Sequence, residues 1–148
     1  MTDLNLPSFE AILRRQGDKY EIFDPVRKKY IILTPEEWVR QHFVNYLVNY
    51  MNYPKSLIKL EGGLKYNSLA KRSDIVVYDR KGIPFMLVEC KSKDVKLTQK
   101  VVEQISVYNK KISAPYQVIT NGLIHFCFKM DNVKNSFIFL EGLPDFEC

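Results

Sequence analysis

The sequence predicts an α+β (α/β) fold in one domain, residues 1–148, with a mixed central β-sheet flanked by helices. Two segments repeat apolar residues at helical spacing, whereas several shorter segments are β-rich. Helical and extended segments alternate along the chain, which is typical of a sheet with helices packed on it. The 148 residues are 46% hydrophobic and 13% aromatic, which is enough for one folded core.

The N-terminal residues, 1–33, are predicted to form a hairpin extension. The runs Tyr20-Glu-Ile-Phe and Lys29-Tyr-Ile-Ile-Leu are β-rich and flank a loop that contains a proline. Residues 8–16 fit a short strand or a helical turn, and the sequence does not decide between the two. We therefore expect one hairpin before the core of the domain.

The core, residues 34–122, is predicted to begin with a helix. Thr34 can cap this helix, Pro35 suits the first helical position, and Glu37 completes a capping box. The helix is expected to end at Asn52-Tyr53-Pro54. Three strands, a second helix and a fourth strand then give the order αβββαβ, at residues 56–61, 72–79, 84–91, 97–112 and 116–120.

The last part of the chain, residues 123–148, is predicted to form a C-terminal hairpin. Its strands are expected at 123–129 and 136–140, and Asn121-Gly122 before them is a strong hairpin turn. In the second helix of the core, the apolar stripe expected to face the sheet consists of Leu97, Val101, Ile105, Tyr108 and Ile112.

Composition narrows the possible partners and environment. The net charge of +5 and the pI near 9.0 are compatible with a polyanionic partner such as nucleic acid. Three cysteines without a CxxC pair and two distant histidines argue against a disulfide framework or a zinc site. The N-terminus lacks the pattern of a secretory signal, and no apolar run is long enough to span a membrane. We therefore expect a cytoplasmic protein with reduced thiols and no membrane partner.

Three acidic-x-Lys triplets are present, at Asp79–Lys81, Glu89–Lys91 and Asp94–Lys96. A chain this rich in acids and lysines contains such triplets by chance, so the triplet alone does not indicate a site. Their positions distinguish them. The first lies in a predicted turn and the third in a polar loop, where solvated charges are ordinary. Only Glu89-Cys-Lys91 ends a strongly apolar strand, which is normally buried on both faces. Alternation places Glu89 and Lys91 on one face, where charges need a partner or a metal.

The expected strand register strengthens this interpretation. If Lys81-Gly82 is a two-residue turn, Tyr78 pairs with Phe85, Val76 with Leu87, and Asp74 lies directly across from Glu89. Two carboxylates at that distance repel each other unless a cation lies between them. Mg²⁺ takes carboxylate and carbonyl oxygens, and it can assist phosphodiester hydrolysis. The alternative is a buried ion pair of these acids with Lys91, which is costly.

The residues around these acids resemble a known family. Arg72-Ser-Asp74-Ile-Val-Val-Tyr and Phe-Met-Leu-Val-Glu89-Cys-Lys91 resemble the central motif of the PD-(D/E)xK nuclease superfamily. The larger frame, roughly residues 20–140, resembles the N-terminal nuclease domain of type I restriction enzyme R (HsdR) subunits. That frame consists of Thr-Pro-Glu36-Glu-Trp-Val-Arg40-Gln, the two motif strands, Gln104-Ile-Ser-Val-Tyr108 and Ile-Thr-Asn121-Gly122. The resemblance implies a restriction-endonuclease-like fold for the αβββαβ core.

The resemblance also implies roles for individual residues. Asp74, Glu89 and the backbone carbonyl of Cys90 would be metal ligands for Mg²⁺, with Mn²⁺ as a substitute, and Lys91 would be the catalytic lysine. The acid of the first helix would be Glu36, a further metal ligand.

Arg40 follows Glu36 with the family's Glu-x-x-x-Arg spacing, and Glu36 shares a helix face with Val39 and Phe43. Glu37 stays open as the alternative acid, because it also suits the capping box.

Gln104 and Tyr108 match the Gln-x-x-x-Tyr motif of RecB-like and type I nucleases, which implies that they help to place nucleic acid or organise the site. An ordinary helix explains them as well, because Tyr108 belongs to the apolar stripe. The segment Glu61-Gly-Gly-Leu-Lys65 lacks the spacing of a Walker-type phosphate loop. The resemblance therefore implies neither ATP dependence nor translocation nor sequence-specific recognition.

Three functions remain open at this point. The leading hypothesis is a metal-dependent deoxyribonuclease that acts on DNA alone, as a homodimer, or with restriction or repair partner proteins. The second is a non-catalytic nucleic-acid-binding module that keeps the nuclease fold. The third is an interaction domain whose charged residues form a structural ion pair.

Overall fold

The computed structural model describes residues 3–60, 74–109, 114–131, 133–134 and 136–146. Within these ranges two β-sheets and two α-helices are present, and no helix is long and apolar enough to cross a membrane. The elements are β1 (Leu13–Gln16), β2 (Lys19–Asp24), β3 (Lys29–Ile32), α1 (Pro35–Asn45), β4 (Ile58–Leu60), β5 (Ile75–Tyr78), β6 (Pro84–Cys90), α2 (Gln99–Asn109), β7 (Tyr116–Thr120), β8 (His125–Asp131) and β9 (Ser136–Leu140).

The large sheet has six strands in the order β4-β5-β6-β7-β8-β9. Only β6 and β7 pair in parallel, because α2 carries the chain across the sheet between them. The element order α1, β4, β5, β6, α2, β7 confirms the predicted αβββαβ core, and β8 with β9 forms the predicted C-terminal hairpin. The mixed sheet with flanking helices is thus the predicted α+β fold.

The N-terminal extension is a separate three-stranded antiparallel sheet in the order β1-β2-β3. The predicted β2–β3 hairpin is confirmed, but the extension is larger than one hairpin, since Leu13–Gln16 is a strand. Gly17, with a φ of +67°, allows the tight turn that returns this strand onto β2. Ile22 and Asp24 of the middle strand are fully buried.

Helix α1 begins as predicted, with the Thr34 hydroxyl accepting a hydrogen bond of 3.0 Å from the Glu37 N–H. It continues directly into a π-helical turn, Tyr46–Tyr50, and the predicted end at residues 52–54 is confirmed. Val39 and Phe43 are almost completely buried against the sheet. This packing fixes the first turn of α1 beside one end of the sheet.

The turn between β5 and β6 differs from the predicted two-residue turn at Lys81-Gly82. The carboxylate of Asp79 accepts hydrogen bonds from the N–H groups of Lys81 (2.8 Å) and Ile83 (2.9 Å), which closes a five-residue loop. A bulge next to Tyr78 pairs this residue with Pro84 and not with Phe85. The bulge offsets the change in loop length, so the register farther along the hairpin is the predicted one.

Helix α2 begins later than the predicted residue 97, and its predicted end at 112 lies outside the described residues. Thr98 caps it, because its hydroxyl accepts from the Val101 N–H at 3.3 Å. The buried face contains Val102 and Ser106, whereas Val101 of the predicted stripe is only half-buried. Leu97 is buried but precedes the helix. It therefore does not determine which face of α2 is buried.

Strand β4 is also shorter than predicted. Residues 55–57 form a 3₁₀ turn, and the strand occupies only Ile58–Leu60. Residues 61 and 72–73 of the predicted strands lie outside the described residues.

Candidate active site

A cavity of about 290 Å³ lies where the start of β5, the end of β6 and the first turn of α1 meet. Asp74 directly precedes β5, and Cys90 is the last residue of β6. The N-terminus of a helix favours negative charge, so acidic side chains are stabilised at this position. The lining residues are Ile31, Thr34, Glu36, Glu37, Arg40, Asp74 and Cys90.

The sheet brings the carboxyl groups of Asp74 and Glu89 together. The predicted pairing of Val76 with Leu87 is confirmed, and Ile75 pairs with Val88, so the next step along the hairpin places Asp74 opposite Glu89. Glu89 lies close enough to Asp74 to affect the ionisation of its carboxyl group. The Cys90 N–H donates a hydrogen bond of 2.7 Å to Oδ2 of Asp74. The backbone of β6 thus holds the Asp74 carboxylate in place.

This pair is electrostatically unusual. Burial raises the pKa of Asp74, although the Cys90 N–H, Arg40 and the hydrogen bond with Glu89 favour its carboxylate form. The nearby charge of Glu36 raises the pKa further. A cation bound beside the two acids would offset part of the cost of burying their negative charge.

The donor set fits a small divalent cation of the Mg²⁺ type. Within the part of the chain that the structure describes, no group of three or more His, Cys, Asp or Glu side chains converges on one point. Mg²⁺ does not need such a group, because it keeps several waters and uses one or two carboxylates together with substrate phosphates. Asp74 and Glu89, with the carbonyl of Cys90, match that requirement. Glu36 is exposed but lines the same cavity.

Glu37 and Arg40 form a buried ion pair in the wall of the cavity. The Nε of Arg40 lies 3.1 Å from the Glu37 carboxylate, and its Nη2 also contacts that carboxylate. Gln41 donates to the same group at 2.8 Å. The structure thus pairs Arg40 with Glu37, the acid that the sequence left open as the alternative to Glu36. Spacings of three and four residues along a helix allow both of these contacts.

This ion pair belongs to a longer series of alternating charges, which we call the buried charge chain: Asp24, Arg27, Glu37, Arg40 and Asp74. Arg27 binds the carboxylate of Asp24, which is fully buried, and its Nη2 lies 3.4 Å from Glu37. At the other end, Nη1 of Arg40 lies 3.9 Å from Oδ1 of Asp74. The chain connects the N-terminal sheet to the candidate metal ligands. The sequence pattern does not predict this chain, because residues 24–28 are predicted only as the loop between two strands.

Glu89 is buried next to Asp74 and is not itself part of the cavity lining, and the remaining predicted site residues also lie outside that lining. Lys91 directly follows β6, is half-buried, and donates its backbone N–H to the carbonyl of Thr120 at 2.8 Å. Gln104 is exposed on α2. Tyr108 is on the same helix, but its side chain is not among those that the structure describes. The structure therefore brings together Asp74, Glu89, Cys90, Glu36 and Arg40, and places Lys91 two residues beyond Glu89.

Asn121 is a positioning residue that the sequence analysis interpreted only as part of a turn. Its buried side chain donates to the carbonyl of Val95 at 2.8 Å and accepts from the Leu123 and Ile124 N–H groups. The predicted hairpin turn is confirmed, with Gly122 at a φ of +86°. The same residue therefore ties the β7–β8 loop to the segment that carries Lys91.

Comparison with known proteins agrees with this geometry. The family model for the type I restriction enzyme R protein N terminus (HSDR_N) matches residues 35–144, about three quarters of the chain. No curated protein matches the chain. The matched region begins at the first residue of α1 and contains every element that surrounds the paired carboxyl groups. The chain belongs to the family of the type I restriction enzyme R protein N-terminal domain.

Proposed function

We propose that this chain is a metal-dependent deoxyribonuclease that hydrolyses phosphodiester bonds with Mg²⁺, for which Mn²⁺ can substitute. The observation that carries the proposal is the pair of acids, Asp74 and Glu89, that the strand register brings together at the end of a buried hairpin. Membership of the restriction enzyme family supports a nuclease-related role. We also propose a cytoplasmic location, where DNA is available and the buried thiols of Cys90 and Cys127 stay reduced.

In this proposal Asp74, Glu89, the Cys90 carbonyl and Glu36 hold the cation. When bound, such a cation polarises a phosphoryl oxygen and lowers the pKa of a bound water. Arg40 holds Asp74 in place from the α1 side, at 3.9 Å.

Lys91 orients the attacking water and offsets the negative charge that develops on the phosphate. Gln104 and Tyr108 organise the nucleic acid along α2. A partner would supply the DNA contacts that one domain lacks. This partner would be a restriction or repair protein, or a second copy of this chain.

The test is cleavage of supercoiled and linear DNA in the presence of Mg²⁺ or Mn²⁺. We expect Glu89→Gln and Lys91→Met each to slow cleavage by about 10²–10³-fold, the usual cost of losing one charge-stabilising group. Lys96→Met is the matched control, because Lys96 ends the other acidic-x-Lys triplet in a solvent-exposed loop. Equal rates for Lys91→Met and Lys96→Met would contradict the assigned role of Lys91, and cleavage unaffected by Glu89→Gln would contradict the metal site.

A second candidate function is a nucleic-acid-binding module without catalysis. The observation in its favour is that the described residues contain no group of three acidic, Cys or His side chains that could hold a metal. This alternative predicts DNA binding that persists in a chelator, together with no cleavage under any divalent cation. Metal-dependent cleavage that Glu89→Gln abolishes would exclude it.

A further inference from the structure

The N-terminal sheet carries much of the positive charge of the chain and lies outside the region that defines the family. Residues 12–33 contain six basic and three acidic residues, a net charge of +3, whereas the whole chain carries +5. The family match begins only at residue 35. The sheet therefore lies outside the matched region, and family membership does not explain its charge.

The turn between β2 and β3 fixes two exposed lysines next to the candidate active site. Arg27 lies in this turn, and its guanidinium reaches Glu37 of the cavity wall at 3.4 Å. Lys28 and Lys29 directly follow Arg27, and both are exposed. We call these two residues the lysine corner. Lys29 lies on the same face of β3 as Ile31, which lines the cavity, so the lysine corner lies beside the cavity.

The lysine corner is held rigidly. The carboxylate of Asp24 accepts from the Val26 and Arg27 N–H groups at 2.8 and 3.1 Å, and the Asp24 carbonyl accepts from the Lys28 N–H at 2.7 Å. Asp24 itself is fully buried, and Val26 packs against the main core. The two lysines thus keep their positions relative to α1.

A second basic group, Arg14, lies on the other face of the N-terminal sheet, because Tyr30 beneath it points away from the face that carries Lys29. The guanidinium of Arg14 lies 3.8 Å from the centre of the Tyr30 ring, and its Nε donates to Glu21 at 2.7 Å. Tyr30 follows Lys29 directly in the chain. The Arg14 side chain is 46% exposed, so one edge of this stacked cation is open to a ligand.

We infer that the lysine corner binds the sugar–phosphate backbone of the nucleic acid beside the scissile phosphodiester. This inference rests on the proposed nuclease function and assigns the surface that holds its substrate.

Charge complementarity supports nucleic acid as the ligand. The cavity contains Asp74 and Glu36, with Glu89 paired behind them, so the cavity alone repels a phosphate chain. A bound divalent cation would offset this charge only locally. Phosphates that flank the scissile one need cations beside the cavity, and Lys28 and Lys29 are exposed cations at that position. An acidic protein could also bind the two lysines, but the neighbouring metal site would not add to its affinity.

The test is the affinity for a DNA duplex, measured by fluorescence anisotropy in Ca²⁺ at several salt concentrations, with Lys28→Gln/Lys29→Gln compared with the wild type. We expect an affinity loss on the order of tenfold at physiological salt. The slope of the logarithm of the binding constant against that of the salt concentration should fall by about 2, one for each lost phosphate contact. Arg14→Gln should cause a smaller loss, since Arg14 lies on the other face of the sheet and already pairs with Glu21.

Lys81→Gln/Lys134→Gln is the matched control. Both lysines are exposed, and both lie in turns at the end of the large sheet opposite Asp74 and Cys90. This control should keep the affinity and salt slope of the wild type. Thermal unfolding of every variant checks that the fold is retained.

The outcomes separate this inference from the proposed function. An unchanged affinity in Lys28→Gln/Lys29→Gln, or an equal loss of affinity in the control variant, would overturn the role of the lysine corner. Cleavage of DNA by the wild type would still support the nuclease proposal in that case. Binding that depends on the corner without any cleavage supports the corner and contradicts catalysis. A wild-type protein that neither binds nor cleaves DNA would overturn both.

Discussion

Two groups of buried charges meet at the cavity, and they are built in opposite ways. In the buried charge chain, Asp24, Arg27, Glu37 and Arg40 alternate in sign, so each charge has an opposite partner. At the end of the hairpin, two acids, Asp74 and Glu89, lie side by side, and Arg40 is 3.9 Å from the first of them. Burial is common to both groups and therefore does not mark function. The adjacent pair of acids does, because such a pair gains from an added cation.

The difference also separates structural support from chemistry. Breaking a buried pair of opposite charges leaves an uncompensated charge in the interior, which is strongly destabilising. Removing one charge from a like-charged pair relieves repulsion. The same kind of substitution, an acid replaced by its amide, should therefore have opposite effects on stability in the two groups.

The largest effect is expected for Glu37→Gln. This variant keeps the size of the side chain but leaves Arg40 and Arg27 without the shared carboxylate, so the free energy of unfolding should fall by about 3–5 kcal/mol. Urea denaturation measures this change. Glu21→Gln is the matched control, because it breaks the more exposed pair with Arg14 and should cost less than about 1 kcal/mol. Similar losses of unfolding free energy for both variants would show that the buried charge chain contributes no more stability than a more exposed ion pair.

The second effect has the opposite sign. In metal-free protein, Asp74→Asn should keep or raise the free energy of unfolding, by up to about 1 kcal/mol, since it removes a charge that burial disfavours. The amide oxygen can still accept from the Cys90 N–H, and the amide N–H can donate to Glu89. Mg²⁺ should raise the melting temperature of the wild type by binding the folded state, and it should not raise that of the variant. A clear destabilisation of the metal-free variant would mean that Asp74 is a structural partner of Arg40.

These two groups differ in how far the sequence predicts them. The carboxyl pair was predictable, because an apolar strand fixes its own alternation and the hairpin register brings Asp74 opposite Glu89. The register was right although the assumed turn was wrong, since the bulge beside Tyr78 compensated for the longer loop. The buried charge chain was not predictable as a whole. Its Glu37–Arg40 step has helical spacing, but the step from Arg27 to Glu37 joins two elements whose packing no local pattern specifies.

The smallest effect concerns buried titratable groups that have no charged partner among their hydrogen bonds, His42 and His125. Burial lowers the pKa of both below the usual value, against the opposing effect of a backbone carbonyl bonded to each ring. The neutral ring is therefore favoured in the folded state. The stability that this provides is present above about pH 6.5 and is lost as the pH falls through the lowered pKa of the folded state.

His125 allows this pH dependence to be tested on one side chain. Its Nε2 lies 2.9 Å from the Asn5 carbonyl, which requires the N–H on that nitrogen, so Nδ1 accepts from the Thr120 hydroxyl at 2.6 Å. Protonation of Nδ1 would turn this acceptor into a donor, so the Thr120 hydroxyl would have to rotate and accept, and a half-buried ring would carry a charge. His125→Gln, whose amide can still donate to Asn5, should reduce the loss of stability between about pH 7 and pH 5 by up to about 1 kcal/mol. Parallel profiles of stability against pH for the variant and the wild type would show that His125 does not titrate in this range. The pH dependence of stability would then be assigned to His42.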